Sequence, residues 1–429
     1  MGPKSSGPPT RRRLEIAAIQ QITTADGRPL RLALALAKGR ARRRATFLVA
    51  PLLFFIVITF IVPIGQVLFR SVYNDGFAQT APNLAAWFSV NPSDAVPDES
   101  AYAALAADLD LMRRNRAAGI AGTRINDAVP GSRSLFTSTA RVADDFSAPF
   151  KNAVIAKDPK WADPRLWHAM RAASSPYSLD YYIIASDRQR DADGSVVPVP
   201  PERRLYVGLF TKTFWQSALI TLLCLVLAFP IAHLIATVRQ STANMLLILV
   251  LLPFWTSLLV RTSSWIVLLQ SQGVVNNVLV AAGVIDTDHR LSLIYNNIGT
   301  IIVMTHVLLP FMILPLYSVM RMINPAYVRA ARSLGATSWT AFRRVYLPLT
   351  LPGVAAGSLL VFILAVGYYI TPALVGGAEG QLISNMIQYH LGASNWSLAA
   401  ALAFVLLVGV LVLYWVYDRL IGIEKLKFG

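Results

Sequence analysis

The chain has 429 residues, of which 55% are hydrophobic and 14% are charged. Soluble domains carry about 25% charged residues, so this composition argues against an ordinary cytosolic enzyme. The single cysteine, Cys224, excludes a disulfide within the chain and a zinc site built on several cysteines. The formal net charge of +16 suits nucleic acid, an anionic lipid surface or a membrane protein whose basic residues face one side. The positions of the charges decide among these.

Six stretches almost free of charge predict six transmembrane helices, because a bilayer core needs about 20 apolar residues per helix. The predicted spans lie near residues 46–69, 214–238, 245–269, 297–320, 352–375 and 398–417. The first stretch, residues 45–69, is too long and too deep in the chain for a signal peptide, and we interpret it as a retained helix. Ahead of it, we expect the basic tail, residues 1–44, to be disordered or surface-bound, with a short amphipathic turn at residues 30–38.

An insertion of the length of a small domain, residues 70–211, separates the first two spans and carries 16 basic and 16 acidic residues. Its predicted elements are a helix over residues 101–119, a short helix over residues 163–173 capped by Asp163, a strand over residues 181–185, and a turn with an extended strut over residues 194–201. His168 is the one histidine of this segment and has no second ligand at metal-binding spacing. We therefore predict neither a metal site nor a catalytic site there.

Lysine and arginine are concentrated in alternate connections, and this bias sets the orientation of a protein with several spans. Eleven of them lie in residues 1–44 and five in residues 321–351, whereas residues 377–397 have none. The bias predicts that both termini and the 321–351 loop are cytoplasmic and that the insertion is outside. The basic excess is then a topology signal, and no aromatic and basic recognition element supports nucleic-acid binding.

The predicted cytoplasmic loop begins with a segment typical of a short helix. Asn324 is a good N-cap and Pro325 suits the first turn. The helix would run to Leu334, because Gly335 accepts the left-handed dihedrals that end a helix.

A second short helix is predicted directly after this glycine. Thr337 or Ser338 can cap it. Leu347 and Pro348 either end it or begin the next span, since proline disfavours a helical conformation in the residue before it. The loop is thus a helix–turn–helix between two spans.

This loop resembles the coupling loop of the permease subunits of binding-protein-dependent ABC importers. The residues that match at the family's spacing are Ala330, Ala331, Gly335, Leu347 and Pro348. Arg329 stands where the family usually has glutamate, so its partner surface would need to be acidic or neutral. The flanking segments at residues 253–262 and 314–317 look like the spermidine/putrescine-type branch. The resemblance covers about residues 205–422.

The resemblance implies an all-α membrane protein with six transmembrane helices of the type I importer permease fold, and with an α/β or mixed extracytoplasmic insertion after helix 1. The implied domains are the cytoplasmic tail 1–44, transmembrane helix 45–69, periplasmic insertion 70–211, transmembrane core 212–420 with its coupling loop 324–348, and cytoplasmic tail 421–429. The implied location is the bacterial inner membrane.

The same resemblance implies that this chain binds no cofactor, with ATP and Mg²⁺ held by a separate ATP-binding cassette subunit. The other implied partners are a second permease subunit, a periplasmic substrate-binding protein and membrane lipid, but no nucleic acid. The sequence itself has no Gly-x-x-x-x-Gly-Lys-Ser/Thr motif, so we expect a transport subunit rather than an enzyme, without catalytic or metal-binding residues.

A few polar and aromatic residues within the predicted spans are candidates for the translocation path. These are Trp255, Arg261, Phe362, Tyr368 and Tyr369. An alternative for Arg261 is a structural arginine that bonds backbone carbonyls. We expect His233 and His306 to be hydrogen-bonded packing residues rather than ligands.

Three other functions compete with import of a polyamine or similar small amino compound. The first is an ABC permease for another solute, such as an amino-acid or opine-like compound. The second is an ion-coupled secondary transporter, which would favour Asp or Glu within the spans, where this sequence has none. The third is a sensor or anchor that displays the insertion, for which one span would suffice.

Overall fold

The computed structural model describes residues 30–91, 97–191 and 195–421. The contacts within it divide the chain into two units, residues 1–67 and 68–429. Six helices in the described residues are long and apolar enough to cross a membrane. They agree with the six predicted spans in number and order.

The first unit is a helix with one local widening. It consists of α1 (Leu30–Ile56), a π-helical turn (Val57–Ile61) and the start of α2 (Val62–Arg70). Pro63 explains the widening, because its ring has no N–H and clashes with the carbonyl four residues earlier. The predicted short amphipathic turn at residues 30–38 is longer in the structure, where these residues form the start of the 27-residue helix α1. Of the predicted basic tail, residues 1–29 lie outside the described residues.

The insertion is built mainly of short helices. They are α3 (Gly76–Thr80), α4 (Pro82–Val90), α5 (Glu99–Arg114), α6 (Ala118–Asn126), α7 (Ser132–Ala140), α8 (Phe150–Lys157), α9 (Pro164–Ser174) and α10 (Asp180–Ala185). A two-stranded antiparallel ribbon follows, formed by β1 (Arg188–Arg190) and β2 (Val196–Pro198), with Gln189 opposite Val197.

The core of the insertion follows from helical spacing. In α5, Tyr102, Leu105, Leu109 and Met112 recur at intervals of three or four residues and are buried on one face. Asp98 begins this helix by accepting a hydrogen bond from the N–H of Ala101, so the predicted helix is present but starts and ends earlier.

The predicted helix at residues 163–173 is confirmed as α9, and Asp163 caps it by accepting from the N–H of Arg165. The predicted strand at residues 181–185 is wrong, because these residues form α10. Tyr181 and Ala185, one helical turn apart, are buried against the end of the transmembrane core, and this packing overrides the strand preference of the segment.

The transmembrane core contains the other five spans. Its helices are α11 (Tyr206–Thr237), α12 (Gln240–Leu251), α13 (Leu258–Leu269), α14 (Val274–Ala281), α15 (Asn297–Met322), α16 (Ala326–Ser333), α17 (Ser338–Ala341), α18 (Leu347–Gly367), α19 (Ile370–Val375), α20 (Ile383–Gly392) and α21 (Trp396–Ile421).

Two predicted spans have different bounds in the structure. The third, placed at residues 245–269, is interrupted by a 3₁₀ turn at Leu252–Trp255, where Pro253 cannot donate to the helical ladder. The span there is Leu258–Ala281. The fifth, placed at residues 352–375, begins earlier and ends at Gly367.

Close packing of α11, α15 and α18 forms the centre of the core. A Cβ atom on Gly357 would lie 2.8 Å from Met312 Sδ, and one on Gly353 would lie 3.0 Å from Val319 Cβ. Small residues allow such close approach, which is the main source of helix association within lipid.

The insertion is fixed to the core by polar contacts at the start of α21 and on the residue just before it. Asn74 donates from Nδ2 to the Tyr181 hydroxyl at 2.6 Å and to Ser397 Oγ at 3.1 Å. Asn395 donates from Nδ2 to Asp127 Oδ2 at 2.5 Å. Residues more than 260 positions apart in sequence thus hold the insertion against the last span.

Asp187 joins the end of the insertion to the start of α11. Its backbone is left-handed, with φ of 53°, and its carboxylate accepts hydrogen bonds from the N–H groups of Leu205, Tyr206 and Val207 at 3.0, 2.9 and 2.8 Å. These N–H groups at the start of a helix have no partner within it, so the carboxylate supplies the cap.

Asp127 makes the attachment of the insertion sensitive to pH. Burial raises the pKa of its carboxyl from 3.8 to about 6, although the hydrogen bond from Asn395 and the charge of Arg124 oppose the rise. The folded protein therefore binds this proton more tightly than the unfolded chain. Through this group, stability falls as the pH rises from about 4 to 6.

We predict that Asp127→Asn removes this dependence, because the amide stays neutral and its oxygen can still accept from Asn395. Above pH 6 the variant should have the higher unfolding midpoint, and the gap should close as the pH falls toward 4. Thermal unfolding of the full chain in detergent measures this. Asp286→Asn is the control, since its side chain is 90% exposed. Equal midpoints of variant and wild type at every pH would contradict the prediction.

Candidate functional site

The first helix of the 321–351 loop, α16, ends in the turn that the glycine predicts. Gly335 has a φ of +90°. Its N–H bonds to the carbonyl of Arg332 at 3.0 Å, and the N–H of Ala336 bonds to the carbonyl of Ala331 at 3.1 Å. This pair of bonds is the Schellman arrangement, which satisfies carbonyls at the end of a helix. At the other end, Asn324 Oδ1 accepts from the N–H of Ala326 at 2.9 Å.

The second helix continues without interruption into the membrane. Thr337 Oγ1 accepts from the N–H of Thr340, so Thr337 rather than Ser338 is the cap. A π-helical turn at Phe342–Tyr346 follows, and Leu347 and Pro348 then begin α18. The whole segment forms one apolar helix, Ser338–Gly367.

Aromatic stacking connects the loop to α11. The rings of Trp339 and Phe342 are stacked with centroids 5.7 Å apart, and those of Phe342 and Tyr346 follow at 5.8 Å. The Tyr346 hydroxyl and His233 Nδ1 are 2.9 Å apart, which confirms His233 as a hydrogen-bonded packing residue. Displacement of the loop would therefore act on two spans.

The loop exposes both apolar and basic side chains. Tyr327, Leu334 and Trp339 are 58%, 89% and 69% exposed. The arginines Arg329, Arg332, Arg343 and Arg344 are exposed beside them, and Ala330 is exposed with Ala331 partly so. An exposed apolar patch with a charged rim is typical of a protein-binding surface.

The part of the chain that contains this loop matches a known family. Residues 205–421, half of the chain, match the model of the binding-protein-dependent transport system inner membrane component. The chain belongs to this family. The match includes the 321–351 loop and all spans after the insertion.

Individual relatives agree with this assignment. The chain is 36% identical over 220 residues to the spermidine/putrescine transport system permease protein PotB of Haemophilus influenzae, covering 50% of this chain and 76% of that protein. PotB of Escherichia coli K12 is 36% identical over 222 residues, covering 51% and 80%. The inner membrane ABC transporter permease protein YdcU of the same strain is 32% identical over 227 residues, covering 50% and 71%.

A solved structure, a bacterial ABC transporter involved in the import of the acidic polysaccharide alginate, is 20% identical with a TM-score of 0.46. It covers 58% of this chain and 85% of the matched chain. That degree of likeness does not bear on the ligand of this protein.

The five candidate path residues lie in two places. Tyr368 packs with the cluster of α13 and α15 that includes Trp265, and it lies near Arg261. Phe362 instead lines an apolar groove of 640 Å³ between α11, α18 and α21. Trp255 is 77% exposed and Tyr369 is 39% exposed. Trp255 lies between Pro253 and Thr256, whose carbonyls Arg261 bonds, and Tyr369 follows Tyr368 directly, so Phe362 is the one of the five that lines a different surface.

Arg261 bonds the backbone of the interrupted third span. Its Nη2 donates to the carbonyl of Pro253 at 2.5 Å and to that of Thr256 at 3.3 Å, and its guanidinium lies 5.8 Å from the ring centroid of Phe254. Carbonyls released by a helix break within a membrane need such partners. The structure therefore favours the structural alternative for this residue.

One pair within the spans was not predicted as a pair. Trp265 donates from Nε1 to His306 Nδ1 at 3.0 Å, which joins α13 to α15 and fixes the histidine tautomer with its proton on Nε2. Both residues stand out in the sequence as polar groups in apolar helices, but 40 residues separate them. No group of three or more His, Cys, Asp or Glu that could hold a metal occurs in residues 30–91, 97–191 and 195–421.

We predict that Arg261→Met lowers the unfolding midpoint, because two carbonyls lose a charged donor, at a cost on the order of 2 kcal/mol. Arg261→Lys should restore part of the loss, since an ammonium reaches one carbonyl at a time. Thermal unfolding in detergent measures both variants. Arg239→Met, an exposed arginine in the preceding turn, is the matched control. A midpoint of Arg261→Met equal to that of the control would refute the structural role.

Proposed function

We propose that this chain forms half of the translocation path of an ATP-driven importer for a polyamine, or a related small amino compound, in a bacterial inner membrane. The observation that carries the proposal is the exposed loop closed at Gly335 and continuous with a membrane helix, within a segment that matches the permease family. The names of the relatives at 36% identity support the substrate class.

The loop transmits work from an ATP-binding subunit to the spans. The apolar surface around Leu334 and Trp339 docks on that subunit, and the arginines at its edge face acidic or neutral groups. The positive charge of Arg329 determines which charge the facing group of the ATP-binding subunit can carry. Because Ser338–Gly367 is one helix, movement of the docked loop passes directly to the fifth span.

The remaining partners follow from the family and the charge distribution. A second permease subunit completes the path, and a periplasmic binding protein delivers the substrate from outside. ATP and Mg²⁺ belong to the ATP-binding subunit. The excess of lysine and arginine in residues 1–44 and 321–351 supports a cytoplasmic position for both termini and the loop.

Substitutions at Gly335 test the coupling role. A Cβ here would meet no atom within 4 Å, so any effect comes from the left-handed backbone. Asparagine tolerates this conformation better than alanine, for which the left-handed backbone costs roughly 1 kcal/mol or more of conformational free energy. We predict that Gly335→Asn keeps most uptake, Gly335→Ala loses part, and Gly335→Asp with a charge at the docking surface loses nearly all.

Radiolabelled spermidine uptake by cells measures this order, and the amount of each variant in the membrane fraction is the control. Co-purification of the ATP-binding subunit should fall in the same order. Normal uptake by Gly335→Asp at normal abundance would refute coupling through this turn.

Reconstitution tests the substrate class. We predict that the purified chain alone hydrolyses no ATP above background. In the complete complex in lipid nanodiscs, putrescine- or spermidine-loaded binding protein should stimulate ATP hydrolysis severalfold. Arginine-loaded binding protein is the comparison. Stimulation by the arginine-loaded protein but not by the polyamine-loaded protein would refute the proposed substrate class. It would still support the proposal that the chain is part of an ATP-driven importer.

A further inference from the structure

The insertion contains a cavity of about 320 Å³. The residues that line it are far in sequence from every predicted site residue. It is formed by the start of α7, the turn before α9, the N-terminal turn of α9 and strand β1. The charged side chains in its wall are Lys160, Asp163, Arg165, Arg190 and Arg203. A volume of this size suits a small molecule rather than a peptide.

The charges in this wall do not balance. Arg165 pairs with Asp163 at 3.0 Å, and Arg190 pairs with Asp180 at 2.9 Å. Lys160 and Arg203 form no ion pair within the part of the chain that the structure describes. Two positive charges therefore line the cavity without an ion pair to any acid in the described residues.

The N–H groups at the start of α7 add little to this site. Asn126 Oδ1 accepts from the N–H of Gly131 at 3.0 Å, and the carbonyl of Val129 accepts from that of Ser132 at 3.2 Å. These donors already have partners. The side-chain cations are the groups that a ligand would meet.

A buried arginine supplies a second and independent observation. A smaller cavity of about 30 Å³ shares Ala128, Val129 and Arg165 with the larger one, and Arg124 forms part of its wall. Arg124 is only 9% exposed, and its Nε and Nη2 are buried without a hydrogen-bond partner in the described residues. Its guanidinium stacks on Tyr181 at 4.4 Å and interacts electrostatically with the carboxylate of Asp127, but neither group forms a hydrogen bond with Nε or Nη2.

Buried guanidinium donors without partners are costly, and an oxyanion is the group that satisfies them best. We propose that the two adjoining cavities form a site for a small oxyanion with at least two acidic groups, such as a di- or tricarboxylate. One acidic group meets Lys160 and Arg203 in the outer cavity. The other approaches the donors of Arg124 at the inner end. The site lies in the insertion and does not depend on the substrate proposed for the permease.

Binding of citrate, succinate and inorganic phosphate to the full chain in lipid nanodiscs tests the proposal by isothermal titration calorimetry. Citrate should bind at one site per chain, and high salt should weaken it. The double variant Lys160→Ala/Arg203→Ala should lose roughly tenfold or more in affinity. Lys157→Ala/Arg141→Ala removes the same charge from exposed positions outside the cavity and should bind like wild type.

Three outcomes would overturn the proposal. They are no binding of any of the three anions by wild type at millimolar concentration, equal loss in the cavity and control variants, and equal affinity for citrate and for acetate, which is titrated in the same way as the anion with a single carboxylate. Unfolding curves without anion show whether each variant keeps its fold. If the double variant is less stable than the control, Lys160→Gln, which removes the charge but keeps a polar side chain only one atom shorter, must show the affinity loss instead.

Discussion

Gly335 adopts a backbone φ of +90°, and the loop on both sides is arranged around that one dihedral. This dihedral allows the last carbonyls of the preceding helix to accept two hydrogen bonds. It also reverses the chain direction, so that Thr337 caps the next helix two residues later. The second helix then enters the membrane without a break. The exposed patch around Leu334 and Trp339 is held outside the spans by this turn, and the proposed contact with an ATP-binding subunit depends on it.

Within the spans, the same need to satisfy backbone groups explains where polar side chains lie. The third span breaks at Pro253, and Arg261 bonds the carbonyl that the break releases. The fifth span ends at Gly367, and Ser384 Oγ and Asn385 Nδ2 donate to the carbonyls of the two following residues at 2.5 and 2.8 Å. In hydrocarbon no water replaces these partners, so each break is accompanied by a donor from another segment.

Some features of the insertion follow from neighbouring residues, whereas others depend on contacts between residues far apart in sequence. Its helices α5 and α9 follow from local caps and spacing, and both were predicted. Segment 181–185 has a strand-like composition but folds as α10, because Tyr181 and Ala185 pack against the end of the core. Asn74, Asp127 and Asn395 look like ordinary polar loop residues until the fold brings them into contact. The same is true of Arg124, whose buried donors are visible only in three dimensions.

The amino-acid sequence by itself determined the six spans, the helix–turn–helix at residues 324–348 and the family, because apolar length, helix caps and a glycine turn are properties of neighbouring residues. The tertiary structure decided the bounds of the third and fifth spans, the helical fold of the insertion, the pairing of Trp265 with His306, and the separation of Phe362 from Tyr368. Each of these depends on which distant helices share a face, and that is set by packing and by satisfaction of buried polar groups.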